Sequence, residues 1–318
     1  MTVQGRAVER VWKEVLKMRR AIRSFVPSLL VAALTSSAGP LAAMANTFTV
    51  DDPSDGIQCS GATFTTISAA VAAASPLGGD IVLVCDGVYT EQVIIDKSLT
   101  LQGAAGQTPT VQAPLTMTGA KAIILVTNPL VGLPPSVIID GLIISGPGGA
   151  NCDSLRYGIR VDGGANATIT HNLIKDVHDT PFGGCQNGIG ILVGRQAEGT
   201  TGTAMIDDNI IQSYQKGGIV VDNMGSTAVI TNNVITGVGR TETIAQNGVQ
   251  VSRGAMVPPS NLQGNTVTAN FYLNRSPSTT PAVATGILYF QAGEPGFEGP
   301  INSTNKLRHN QVNVSVTP

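Results

Sequence analysis

From residue 157 onward the chain repeats a short apolar run behind a glycine. GIRV begins at Gly158, GIGI at Gly188, GIVV at Gly218 and GVQV at Gly248, at intervals of thirty residues, and GILYF follows at Gly286. Apolar residues alternate with variable ones in each run, the period of two expected of a strand with one buried face. This pattern points Val221 and Ile189 inward. A second run in each unit ends at an asparagine: ATITHN (167–172), AMIDDN (204–209) and AVITNN (228–233), then Asn265 and, in LRHN, Asn310. No segment of these repeats carries helical apolar spacing, and a period of twenty to fifty residues indicates a solenoid. One such unit cannot bury its own apolar face. Parallel stacking at ~4.8 Å per rung buries a continuous Ile/Val core and pairs each backbone group with the next rung. The recurring asparagine can then bond its copy one rung up as a side-chain ladder. The glycine lets the chain turn tightly into the strand.

The stretch ATFTTISAAVAAASPLGGDIVLVCDGVYTEQVIIDKSLTLQGA holds a short helix near 66–75, followed by G-x-Y-x-E and L-T-L-x-G. Together with the repeats it resembles the right-handed parallel β-helix proteins of the pectate-lyase-like superfamily. The resemblance covers nearly all of residues 46–318. It implies an all-β, single-stranded right-handed parallel β-helix of about eight to ten rungs, with a short N-terminal capping helix and its clear repeats over 157–318. That superfamily includes lyases, hydrolases, esterases, epimerases and non-catalytic surface proteins, so it leaves function open. The paired-aspartate, GHG and RIK pattern of polygalacturonases is missing, as are the QD and DFIFG-like stretches of pectin methylesterases. The RxPxxR run of pectate lyases and the DPHE stretch of alginate epimerases are missing too.

The repeat register pairs the cysteines. Cys152 and Cys185 each fall in the turn entering a strand on adjacent rungs, close enough for a Cα separation of ~5.5 Å. Cys59 precedes the cap helix and Cys85 ends the first strand, so that bond would staple the cap to the first rung.

Residues 1–45 change the charge balance. Arg19, Arg20 and Arg23, the short apolar FVPSLLVAAL and the Ala43-Met44-Ala45 signal read as a secretory signal peptide, with Met18 as an alternative start. The apolar run is too short for a stop-transfer helix. Seven of the chain's 19 Lys/Arg and two of its 21 Asp/Glu lie there, so residues 46–318 carry a net charge of −7 without a basic block. Nucleic acid needs a cationic face and is excluded. An even number of cysteines in an exported chain agrees with disulfides.

Single polar residues mislead in a repeat, and register separates them. His171 shares its slot with Asp208, Asn232, Gly264 and His309, so it is a polar turn position. The uneven connections carry more. From each asparagine to the next glycine the intervals are sixteen, nine, fifteen and twenty-one residues. The short one leaves a notch with SYQKG (213–217) as floor and 176–186 and 237–246 as walls. His178, Asp179, Tyr214, Lys216, Arg240 and Glu242 converge there, and outward strand positions add Arg160, Asp162, Asp222, Gln250 and Arg253. Such a set suits an acidic polysaccharide or cell-surface glycan. β-Elimination needs a base, Lys216 or Tyr214, and a neutraliser of the forming enolate, Arg160, Arg253 or a Ca²⁺ ion. Hydrolysis needs two carboxylates; Asp162 and Asp222 sit two rungs apart, ~9.6 Å, at or beyond the upper end of the inverting range. DDPSD (51–55) lacks the EF-hand ligand order and reads as a solvated, poorly ordered start. No Cys/His spacing implies zinc. The competing reading is a non-catalytic extracellular scaffold or adhesin whose polar residues only solvate the outside.

Overall fold

The computed structural model describes residues 45–54, 56, 59–128, 133–273 and 282–317. The leader expected over 1–45 therefore lies, but for Ala45, outside the described residues. What is described is a right-handed parallel β-helix whose three sheets each hold eight parallel strands, within the expected rung count. One rung runs from Tyr157–Asp162 in the first sheet through Asn166–Thr170 in the second to Leu173–Lys175 in the third. The next repeats this as Ile189–Val193, Thr203–Asp207 and Ile210–Gln212.

Register converts the alternating pattern into stacked rows. Ile124, Ile159, Ile191, Ile219, Val249 and Ile287 lie directly above one another inside the first sheet. Ile139, Ile169, Ile206 and Ile230 do so in the second, and Ile144, Ile174, Ile211, Ile235 and Val267 in the third. All are fully buried. At about 1.5–3 kcal/mol for each Ile or Val taken from water, these rows are the main stabilising term.

The glycine of the repeat has a different role from the one its spacing suggested. Tyr157 pairs with Ile189 and Ile159 with Ile191, so Gly190, and not Gly188, stands level with Gly158. The next pairing places Gly218 in the same row. These glycines face inward: a Cβ on Gly218 would sit 2.6 Å from Ile235 Cγ2. Gly188, at φ +77, makes the turn. The two-residue offset also turns Ile189 to the outer face.

The asparagine ladder forms. The Oδ1 of Asn209 accepts from Asn172 N at 3.0 Å and Nδ2 at 3.1 Å, and Asn233 and Asn265 repeat the contact. Its last member is Asn305, which accepts from Asn265 N at 3.0 Å. Asn310 belongs to a second stack with Asn270. The polar slot before each asparagine is left-handed backbone: φ is +53 at His171, +52 at Asp208, +57 at Asn232 and +53 at His309. Asn, Asp, His and Gly tolerate that conformation best, which explains the slot's composition.

At the N-terminal end the helix Ile67–Ala73 buries Ile67, Ala70 and Val71. Thr66 caps it, and the Glu91 carboxylate accepts from Ile67 N (2.8 Å) and Ser68 N (2.9 Å). Disulfides join Cys59 to Cys85 and Cys152 to Cys185, with Cα separations of 6.3 and 5.8 Å. The 51–54 stretch is anchored, contrary to a solvated start: Asp51 accepts from Cys59 N at 3.0 Å and Asp52 from Val88 N at 3.1 Å. No helix among the described residues is long and apolar enough to cross a membrane.

Candidate functional site

A groove of about 220 Å³ opens on the outer face of the first sheet, across the strands Tyr157–Asp162 to Asn247–Ser252. Its apolar floor is Tyr157, Ile189, Leu192 and Val220, side chains that alternate outward from the buried rows. Around the floor stand Gln186, Arg195, Lys216, Asp222, Gln250 and Arg253. Gly217 keeps the floor open beside Lys216, because a Cβ there would lie 2.9 Å from Val220 Cγ2.

One wall is a strap over 194–202, inserted between Ile189–Val193 and Thr203–Asp207. The backbones of Arg195 and Thr200 pair with each other (2.9 and 3.0 Å), and Gly194 and Gly199, at φ +66 and +65, make its tight corners. Glu198 turns from the strap onto Arg160, a side chain 2% exposed that also pairs with Asp162. Arg195 reaches Glu198 at 3.3 Å and donates to the Tyr157 hydroxyl. Arg160 and Arg195 lie 5.4 and 5.8 Å from the centre of the Tyr157 ring.

Ionisation is altered at the site, at Lys216 and Glu198 among others. Burial holds the Lys216 ammonium below the ordinary lysine range. Its Nζ donates to the Ala245 carbonyl at 2.9 Å, and no carboxylate of the described residues forms an ion pair with it. The hydrogen bond from Arg160 holds the Glu198 carboxyl below the usual glutamate range, and the charges of Arg160, Arg195 and Arg156 add to this. Asp222, itself buried, accepts from Arg253 and Ser252 at 2.7 Å and from Gln196 N at 2.9 Å.

Of the residues expected at the notch, Lys216, Asp222, Gln250 and Arg253 line this groove. Arg160 and Asp162 lie beneath its strap wall, outward on their strand yet covered. The others do not join them. Tyr214 is fully buried among core residues, its hydroxyl donating to Asn270 Oδ1 at 2.6 Å, and burial drives its phenol well above the ordinary range. It cannot serve as a base. Asp179 is 2% exposed and consumed as a structural acceptor for Ser154 N (2.9 Å), Ser154 Oγ (2.6 Å) and Gln215 Nε2 (3.1 Å). His178 bonds the Asp179 carbonyl through Nδ1 at 2.8 Å and packs edge-on against Phe182. Arg240 lies on the long strand Val234–Thr241, stacked 4.8 Å over Phe271, with Glu242 exposed just beyond it.

Arg195 and the strap escape the asparagine-to-glycine intervals because they lie in the other half of the repeat. From strand glycine to ladder asparagine the intervals are fourteen (158 to 172), twenty-one (188 to 209), fifteen (218 to 233) and seventeen (248 to 265). The excess at twenty-one was the signal.

A family model described as "Right handed beta helix region" matches residues 135–314. Among solved structures the chain is similar to Escherichia coli YbhC, at 13% identity over 92% of this chain and 82% of that one, with a TM-score of 0.42. It is also similar to an alginate lyase from Paenibacillus sp. str. FPU-7, at 13% identity over 84% of this chain and 99% of that one, with a TM-score of 0.36. No curated protein matches the sequence.

Proposed function

The chain belongs to the right-handed β-helix family, and we propose that, outside the cytoplasm, its outer groove binds an acidic polysaccharide. Lys216 carries this reading: a partly buried ammonium held by a backbone carbonyl, with no carboxylate of the described residues paired to it. A cation taken from water without a counter-charge is costly unless an anion completes it. A uronate carboxylate is such an anion, and Leu192, Val220 and the Tyr157 ring offer a platform for the less polar face of a sugar. Net negative charge over the rest of 46–318 makes the cationic groove the favoured docking place for an anion. Two disulfides support export, since such bonds persist in oxidising compartments.

Cleavage is the finer form of this reading. A lysine whose affinity for its proton is lowered is suited to abstract the ring proton beside a uronate carboxyl, while Arg195 or Arg253 neutralises the enolate; the C4–O glycosidic bond then breaks as the C4–C5 double bond forms, and the leaving oxygen takes a proton from water or from the lysine. Ca²⁺ in that neutralising role is tested by EDTA. A binding protein without turnover is the second reading, favoured by the structural roles of His178, Asp179 and Tyr214, which leave Lys216 as the base candidate. The experiment is a panel of uronic-acid polymers, scored for binding and for absorbance of unsaturated products, with and without Ca²⁺ or EDTA. Binding lost in Lys216→Ala supports the groove; product formation supports elimination. Equal binding by wild type and Lys216→Ala would sink both forms.

A further inference from the structure

We infer that Glu198 is a tethered stand-in for a ligand carboxylate: it closes the strap over a second anion subsite built from Arg160 and Arg195. This rests on the acidic-glycan reading and concerns the regulation of the same groove.

The strap is an insertion. The turn between first and second sheets takes three residues after Asp162 and four after Asp222, but nine after Val193. Its Arg195 and Ala197 wall the groove, while Glu198 points away from the groove onto Arg160. Beneath it the outer face of Tyr157–Asp162 is covered, so Arg160 is almost wholly buried although its strand position faces outward.

Charge balance makes Glu198 the replaceable partner. Arg160 already has a buried carboxylate in Asp162, one rung-face neighbour on the same strand. Glu198 is the additional one, and its side chain is still 42% exposed. Withdrawing Glu198 thus leaves no unpaired buried charge; it leaves Arg195 without its acid and raises the positive excess of the groove from one charge to two. Arg160 Nε is buried without a hydrogen-bond partner among the described residues, so the guanidinium has donor capacity to spare. The geometry suits a polymer. Arg160 stands two rungs from the Lys216 strand, ~9.6 Å along the axis by strand spacing, so carboxylates on alternate sugars of one chain can meet Lys216 and then Arg160 with Arg195. Both guanidinium groups sit against the Tyr157 ring, 5.4 and 5.8 Å from its centre.

Gln196 N still holds Asp222 at 2.9 Å and Asn223 Nδ2 holds the Thr200 carbonyl at 3.0 Å. The strap is therefore latched at two points besides Glu198, and losing Glu198 loosens it without detaching it.

The test compares wild type, Glu198→Gln and a charge-matched control, Asp208→Asn, which sits exposed in a left-handed slot at the ladder corner. Binding of defined galacturonate and mannuronate oligomers is measured by calorimetry, and hydrogen exchange is followed at the Glu198, Gly199 and Thr200 amides. Glu198→Gln should bind about two- to fivefold tighter, the scale of a half-exposed ion pair, and its strap amides should exchange faster. Asp208→Asn should change neither. Unchanged or weaker binding by Glu198→Gln overturns the inference, as does an equal gain in Asp208→Asn. If no form binds any oligomer, the glycan reading fails; unchanged strap exchange in Glu198→Gln would then remove the latch as well.

Discussion

The ladder corner and the groove are built on the same rungs and differ in one respect: repetition. At the corner, Asn172, Asn209, Asn233 and Asn265 each donate to the asparagine of the next rung, and the series ends at Asn305. On the outer face of the first sheet the equivalent row reads Arg160, Leu192, Val220, Gln250 and Leu288, five rungs without a shared chemistry. A residue that recurs at every rung satisfies a need of the rung. One that occurs once in its row, at a place where the connection is irregular, has been released from that need. Lys216, Arg195 and Glu198 are of the second kind, and His171 and Asp208 of the first.

The largest effect should come from the rows that both regions share. Ile219→Ala, directly inside the groove strand, should cost about 2–5 kcal/mol in chemical denaturation through lost burial and a residual cavity. A cost below 1 kcal/mol would mean that the inner register is misplaced. The ladder is next. Asn233→Ala strips the acceptor from Asn209 N and Nδ2 and donors from three oxygens, and should cost about 1–3 kcal/mol. If it costs nothing, the corner is ornament and the contrast collapses.

The groove should behave in the opposite way. The folded-state pKa of Lys216 is depressed by burial, so between its folded and unfolded values the unfolded chain binds the extra proton and stability rises with pH. At neutral pH the charged, buried ammonium is a cost. Lys216→Met should therefore melt at the same temperature or higher while polyuronate binding is lost. A lower melting point with binding retained would make the lysine a strut.

The smallest effect concerns His171, whose ring lies 2.7 Å from Asp140 and 3.8 Å from Asp208. The hydrogen bond to Asp140 raises its pKa. The pair's contribution is then fully present below the unfolded histidine value of ~6.5 and fades as pH rises through the folded one. For a group this exposed, His171→Asn should shift stability by no more than about 0.5 kcal/mol, seen at pH 5 and absent at pH 9. A pH-independent loss would place the effect in the left-handed backbone.

The fold was legible because a solenoid writes its period along the chain. Alternation of Ile and Val marked the inner rows, the asparagine marked the corner, and the cysteine positions relative to the strands marked their partners. Errors came where two similar signals overlapped. Gly188 and Gly190 both precede an apolar residue, and the thirty-residue spacing singled out the one that makes the turn instead of the one that packs inward, so Ile189 was turned to the wrong face. Asn310 looked like a ladder residue, but the helix Glu298–Thr304 ends in Asn305, which holds the ladder position.

By itself the sequence determined the parallel β-helix, its polar corner and the outward placement of Arg160, Asp162, Asp222 and Gln250. These follow from periods of two and about thirty residues, which local sterics and stacking translate directly into direction. Tertiary structure alone decided which polar residues share a site. Tyr214 stands two residues before Lys216 and Asp179 in the neighbouring wall of the expected notch, yet they turn into the core and into the disulfide-linked loops, because an aromatic body and a hydrogen-bonding carboxylate gain more there than at the surface. Arg195 reaches the groove, and Glu198 reaches Arg160, from a strap whose path depends on two left-handed glycines. Whether a side chain is buried, bound or free is set by what packs over it, and no pattern along one strand contains that.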